Sequence, residues 1–184
     1  MKYTKLSEIC YIVSKGKNST LEMEGNVKML TFPAITNNGD ICEADIPKSY
    51  LENPYLDLKT YNVENKDIIF SITFRNKLVI KQLNFISSIE NMMYSSRVAY
   101  IRVNPEKYNP DFLFELLNTD KYIKRLEKEV YTAGIISQIS LERLKNFEVP
   151  DISIEGQKKI LQEKKKIDDK ISNLENQLKE LFNL

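Results

Sequence analysis

At 184 residues with 42% hydrophobic side chains, the chain can bury one sizeable core, most economically as a single domain with an extended helix beside it. A formal charge of +1 gives no bulk signal for nucleic acid. No stretch approaches the ~20 apolar residues of a membrane span, and Met1-Lys2-Tyr3-Thr4 leads into no signal-peptide core, so a soluble, cytoplasmic protein without a membrane partner is expected.

Histidine is absent and the cysteines, Cys10 and Cys42, stand alone, which removes Ser-His-Asp and Cys-His pairs, histidine metal sites and disulfide frameworks. Both thiols are expected to be buried. With five glycines, a loop that cradles a nucleotide is not expected either. Charge is uneven along the chain. Residues 1–20 carry four Lys against Glu8, residues 22–67 four basic and nine acidic side chains, and residues 70–108 six basic and two acidic. If folding brings the two basic islands to one face, a positive surface forms despite the neutral total.

Tyr3 to Val13 reads as a short helical turn running into a strand. The polar run Ser14 to Thr20 then reads as a loop turning at Gly16. It lacks the first Gly and the Gly-Lys-Ser/Thr ending of a phosphate-binding loop. Val27 to Ile35 suggests a strand, Asn37-Asn38-Gly39-Asp40 a turn, and Ile41 to Ile46 a returning strand. Pro47 to Tyr61 is turn-rich, with Pro54 expected to break any helix. Apolar, β-branched Ile68 to Ile72 predicts a buried strand, Phe74-Arg75-Asn76-Lys77 a polar tip, and Leu78 to Ile80 the strand that follows.

Phe85-Ile86 and Met92 to Val103 continue the β pattern, surest over Val98 to Val103, with Tyr94-Ser95-Ser96-Arg97 offering an aromatic ring, two hydroxyls and a guanidinium. Asn109-Pro110 opens a helix through Phe112, Leu113, Leu116 and Leu117. Tyr122 to Val130 is amphipathic, with Ile123, Leu126 and Val130 facing inward, and Tyr131 to Gly134 ends it. Ser140 caps a short helix over Leu141 to Lys145. From Ile154 onward Ile160, Ile167, Leu174 and Leu181 recur every seven residues, with Ile171 and Leu178 between them at the 4-3 spacing of a two-position heptad seam that only Lys164 interrupts. Such a helix would reach ~45 Å, longer than a domain of this size needs for its own core. It is a helix built to lie against another helix, or else a terminal helix folded back on its own domain. Carboxylate pairs for acid–base work do not stand out from the mixed surface runs. Pro150-Asp151 with Glu155 lacks nuclease spacing, and Asn53-Pro54-Tyr55 lacks the second Pro of an amino-methyltransferase motif.

The run from Gly134 to Ile160, with Ile139-Ser140, Leu141, Leu144, Val149-Pro150, Gln157 and Ile160 in order, resembles the end of one target-recognition half of a type I restriction-modification DNA specificity subunit. Upstream, Lys5 to Ile9 followed by Ser14 to Lys17 is similar to the family's start, and Asn65 to Ser71 to its central segment. The resemblance covers essentially the whole chain. It departs at Asp151, where the family usually has a second Pro, at Gly156, where it has Glu, and in length, since such subunits normally carry two recognition halves and two spacer helices.

The resemblance implies an α+β fold: a mixed α/β target-recognition domain over residues 1–150, then a coiled-coil spacer and dimerisation helix over 151–184. It implies a half-size, non-catalytic specificity subunit that reads double-stranded DNA. The partner methyltransferase subunit would supply the S-adenosylmethionine chemistry, with no cofactor in this chain, and a restriction subunit is a further candidate partner. The DNA contacts expected are Lys15, Lys17, Asn18 and Ser19 from the first loop, Arg75, Asn76 and Lys77 from the tip, Tyr94, Ser95, Ser96 and Arg97 from the second loop, and Tyr131 and Thr132 from the connection the family holds close to DNA. A homodimer through Ile160, Ile167, Ile171, Leu174, Leu178 and Leu181 would restore the two-fold arrangement of a full subunit. The alternative is a coiled-coil interaction protein whose globular part does not bind DNA.

Overall fold

The computed structural model describes residues 2–42, 46–85, 90–132 and 136–182. In chain order these form β1 (Tyr3–Lys5), α1 (Leu6–Ile9), β2 (Cys10–Lys15), β3 (Val27–Leu30), β4 (Lys48–Ser49), α2 (Pro54–Tyr61), β5 (Ile68–Ser71), β6 (Thr73–Phe74), β7 (Ile80–Gln82), β8 (Met92–Tyr94), β9 (Val98–Val103), α3 (Pro110–Leu117), α4 (Asp120–Glu129), β10 (Ser137–Gln138), α5 (Leu141–Lys145), β11 (Glu148–Pro150) and α6 (Ile154–Phe182). The α+β class is as expected.

Four antiparallel strands in the order β2-β9-β5-β7 form the central sheet. Side chains alternate across a strand, and here both faces are covered. Ile68, Phe70, Ala99, Ile101 and Val103 point into a core shared with Leu6 of α1, Phe112, Leu113 and Leu117 of α3, Ile123 and Leu126 of α4 and Leu144 of α5. Ile69, Val98 and Tyr100 point the other way, onto Leu30, Met92 and Tyr94. Those residues belong to a second sheet, β4-β3-β8, in which β3 and β8 run parallel. Its far side buries Val27, Met29 and Met93 against Leu51 and against Leu58 and Tyr61 of α2. Double burial explains why β5 and β9 read as near-continuous apolar runs rather than alternating ones.

Several local expectations change. Pro54 does not break a helix but starts one, in the first turn of α2 where a missing N–H costs nothing. The Val27 to Ile35 strand stops at Leu30, and Pro33 lies in a 3-10 turn over Phe32–Ala34. Of the returning strand expected over Ile41 to Ile46, Ile41 bridges Ile35, and Glu43 to Asp45 lie outside the described residues. So do Ile86, Ala133 and Gly134. Cys10 is half-buried, whereas Cys42 is exposed, contrary to the buried thiol expected there.

The last helix is joined to the body at its root. β11 pairs antiparallel with β1, so the first strand of the chain holds the segment that enters α6. The Ser153 hydroxyl accepts from the Gly156 amide at 3.2 Å and caps the helix. Gln157 is fully buried: its Oε1 accepts from the Asn109 amide at 2.7 Å and its Nε2 donates to the Ile152 carbonyl at 2.6 Å. Leu161 is the last residue to pack on the core. Lys164, the residue that interrupts the heptad seam, reaches Glu115 of α3 at 3.5 Å and Asp168 at 2.7 Å.

Candidate nucleic-acid interface

Two loops are laced together at one end of the central sheet. The Gly16 amide donates to the Val98 carbonyl at 3.1 Å, the Lys17 amide to the Tyr94 carbonyl at 2.7 Å, and the Ser96 amide to the Lys17 carbonyl at 2.8 Å. The Ser96 hydroxyl stands 3.4 Å from Asn18 Oδ1. Gly16 is required because a Cβ there would fall on the Tyr94 carbonyl oxygen. Backbone hydrogen bonds therefore fix the two polar runs as one surface, on which Asn18 and Arg97 are exposed and Ser96 half-buried.

Not every residue of these runs faces outward. Tyr94 is fully buried; its ring stacks on Tyr100 at a centroid distance of 4.1 Å and its hydroxyl donates to Asp67 at 2.7 Å. Ser95 is 2% exposed and its amide donates to the Leu30 carbonyl at 3.0 Å. Tyr131 is likewise 2% exposed, donating to the Ser71 carbonyl at 2.6 Å and packing edge-on against Phe74. All three side chains are buried as the chain is folded, Tyr94 and Tyr131 as part of the core, which corrects the exposure expected of them from sequence. Lys15, at the end of β2, lies opposite Ala99 and is half-buried. Lys17 pairs with Asp57 of α2 at 2.8 Å, and that bond raises its pKa. Its charge is already met, so it anchors the loop to α2. The Ser19 hydroxyl is enclosed and has no hydrogen-bond partner.

Beside the laced loops lies an open cleft of about 660 Å³ lined by Arg97, Thr31, Phe32, Pro33, Ser71 and Thr73, among others. Arg97 reaches it because Ser71 pairs with Val98 in the β5–β9 ladder. From Thr73 the chain continues through Phe74 to Arg75, Asn76 and Lys77, all exposed. The base of this tip is rigid: β6 pairs with β10, and the Leu78 amide donates to Glu127 of α4 at 2.9 Å. Thr132 is exposed, and its amide donates to the Gln138 carbonyl at 2.8 Å, next to the same ladder. Of the expected contacts Arg97 alone lines this cleft, with Thr31, Ser71 and Thr73 beside it, so polar groups from sequence-distant segments meet there on a fixed scaffold.

Sequence reasoning missed the buried polar group at the opposite end of the β5–β9 ladder, to which the Tyr94 side chain reaches from the laced loops. Asp67, fully buried, takes a two-pronged contact from Arg102, Nε at 2.9 Å and the second guanidinium arm at 2.7 Å, plus the Tyr94 hydroxyl. The remaining guanidinium N–H groups donate to Glu64 at 2.6 Å and to Asn62 Oδ1 and carbonyl at 3.2 and 2.9 Å. Burial pushes the Asp67 carboxyl up, while Arg102, the Tyr94 hydroxyl and the Glu64 amide pull it down. The available signal was a lone Arg inside the otherwise apolar strand Val98–Val103, since a charge on a doubly buried strand needs a partner.

Along α6 the seam residues Ile160, Ile167, Ile171, Leu174, Leu178 and Leu181 are between 45% and 79% exposed. The helix is therefore not folded back along the body. About 27 Å of it extends past Lys164.

A family model described as the type I restriction modification DNA specificity domain matches residues 1–183. Among solved structures, the chain is similar to the HsdS subunit from Thermoanaerobacter tengcongensis, at 15% identity and TM-score 0.60, over 95% of this chain and 39% of that one. A structure described by complex assembly and conformational transition of the type I R-M system matches at 18% identity and TM-score 0.62, over 95% and 44%. The S subunit of a type I restriction-modification system from M. genitalium matches at 13% identity and TM-score 0.55, over 95% and 41%. At these identities the likeness is one of fold. The chain spans about two fifths of the length of the structures it matches. No curated protein matches it in sequence.

Proposed function

The chain belongs to the type I restriction modification DNA specificity family, and from that premise we propose that it forms one target-recognition half of a specificity subunit. Residues 1–150 read a double-stranded DNA sequence and residues 151–184 act as spacer and dimerisation helix. The chain does no chemistry of its own. A partner methyltransferase subunit brings S-adenosylmethionine, and a restriction subunit joins where the complex cleaves. Recognition is a matter of placement: exposed polar side chains on rigid tips enter a groove, amides and guanidinium groups test base edges, and cations fix register on phosphates. Asn18, Ser96, Arg97, Arg75, Asn76, Lys77 and Thr132 are the residues for that task.

The observation that supports this most is the pairing of two features on one chain. Arg97, Thr31, Ser71 and Thr73 from three distant segments line one cleft, with Asn18 and Ser96 laced to the Arg97 loop, and an uncovered apolar seam leaves the body at the other end of a firmly pinned joint. A second copy lying antiparallel along that seam would set two identical readers at a fixed distance, on the order of 13 base pairs apart for a helix of this length. Two such readers select an interrupted palindrome.

Enrichment of a random duplex pool by the purified chain, with binding followed against salt, tests the reading. A DNA reader enriches a two-fold symmetric site and loses affinity steeply as salt rises. A chain that enriches nothing and binds without salt dependence would be an interaction protein using the seam alone.

A further inference from the structure

We propose that α4 is a phosphate-binding rail, with Lys124 and Lys128 gripping the DNA backbone alongside the Arg75–Lys77 tip. The inference rests on the reading of the chain as a DNA reader and extends its footprint onto a helix that neither the sequence motifs nor the laced loops include.

Lys121, Lys124 and Lys128 fall at i, i+3 and i+7, so they share one stripe of the helix and span ~10 Å along its axis. All three are exposed, while Tyr122, Ile123 and Leu126 on the opposite side are buried. Glu127 lies next to that stripe, and its carboxylate is bound to the Leu78 amide at 2.9 Å. Glu127 is thereby joined to the residue that follows Lys77 in the tip. Arg125, which would have added to the stripe, is turned aside to Glu129 at 2.8 Å and to the Glu148 carbonyl at 3.1 Å. Among the described residues Lys124, Lys128, Arg75 and Lys77 have no ion-pair partner.

Cations left uncompensated on a helix, in a chain whose total charge is only +1, are a local positive surface, joined through Glu127 to the exposed Arg75–Lys77 tip. Lysine suits this task because a flexible point charge meets phosphates without reading bases. The rail therefore contributes affinity and register, whereas sequence choice stays with Asn18, Ser96, Arg97 and the tip.

The test replaces Lys124→Gln and Lys128→Gln together in the full chain, using the duplex enriched by the wild type and a scrambled duplex as probes. A second pair, Lys165→Gln with Lys170→Gln on exposed turns of α6, removes the same charge elsewhere. Neutralising two phosphate contacts in each of the two copies lowers the slope of log affinity against log salt by about 3.6 and weakens binding on the order of a hundredfold or more near 0.1 M salt. Both duplexes should lose equally, leaving the preference ratio unchanged, and the α6 pair should leave the slope as it was. An unchanged slope, an equal loss from the α6 pair, or a shifted sequence preference would each overturn the rail. If the wild type itself enriches no sequence and shows no salt dependence, the reading of the chain as a DNA reader fails first and takes the rail with it.

Discussion

Arg102 of β9 grips Asp67, the residue just before β5, through two parallel contacts of 2.9 and 2.7 Å. Asp67 is wholly buried and Arg102 is only 13% exposed, so neither can turn to water if the other is lost. Removing Arg102 strands the Asp67 charge in the core, at a cost of about 3–5 kcal/mol, whereas Arg102 without Asp67 keeps Glu64 at 2.6 Å. Arg102→Met should therefore lower the urea midpoint sharply, and Asp67→Leu should lower it less. The double variant should be less destabilised than the sum of the two, because no lone charge remains. Additive losses in a double-mutant cycle would mean the pair contributes no coupling.

The same pair supports the laced loops, since the Tyr94 hydroxyl donates to Asp67 and the Tyr94 carbonyl accepts from the Lys17 amide. Affinity and stability should separate accordingly at this end of the sheet. Gly16→Ala pushes a Cβ onto the Tyr94 carbonyl, forcing the backbone to shift at a cost of about 1–3 kcal/mol. Arg97→Ala touches an exposed side chain and should leave the melting curve within about 0.5 kcal/mol of wild type, while weakening binding to the enriched duplex. A stable Arg97→Ala protein with undiminished binding would take Arg97 out of the interface.

Much of the architecture was legible because it follows from local chemistry. The apolar run Val98 to Val103, Asn109-Pro110 opening α3 and Ser140 capping α5 each carry their own signal and appear where expected. What failed was the inference from residue type to exposure. Tyr94 and Tyr131 look like groove residues in sequence, yet a tyrosine with a buried acceptor for its hydroxyl is equally good core, and whether an acceptor exists depends on Asp67 and Ser71, far away in the chain. Lys17 looked free for the same reason, because Asp57 is distant in sequence and adjacent only after folding. Pro54 shows that a proline alone does not say whether it ends a helix or begins one.

Gln157 should behave as the pin of the spacer joint. Shortening it in Gln157→Ala leaves the Asn109 amide and the Ile152 carbonyl without the partners they have at 2.7 and 2.6 Å, at a cost of about 1–3 kcal/mol. Amide hydrogen exchange at Asn109 and over the first turns of α6 should quicken more than in β5 or β9. Uniform acceleration through the whole chain would mean that the joint does not open by itself.

The two thiols should differ by orders of magnitude in reactivity. Burial pushes the Cys10 thiol up to about 12, so near pH 8 only ~1 in 10⁴ molecules carries the thiolate that attacks a disulfide reagent. Cys42 is exposed and should react first. In denaturant both should react at similar rates. The sign follows from the raised value: the folded state keeps Cys10 protonated, and the associated stabilisation is lost only as pH rises through the alkaline range toward that value. Fast modification of both thiols in the native protein would contradict this burial.

The seam makes the sharpest demand on solution behaviour. Side chains as apolar as Leu174 and Leu178, 63% and 56% exposed, gain about 1.5–3 kcal/mol each when a partner helix covers them. Lys164 breaks the row only where the helix still serves its own body through Glu115, so the row beyond it is continuous. Wild type should show twice the monomer mass by light scattering at micromolar concentration. Leu174→Glu combined with Ile167→Glu should give monomers that keep the globular melting transition. Because two linked half-sites bind far more tightly than one, those monomers should also lose affinity for a symmetric duplex while losing little for a half-site. A wild-type monomer at high concentration would leave the seam to a different helix, and the palindrome prediction would fall with it.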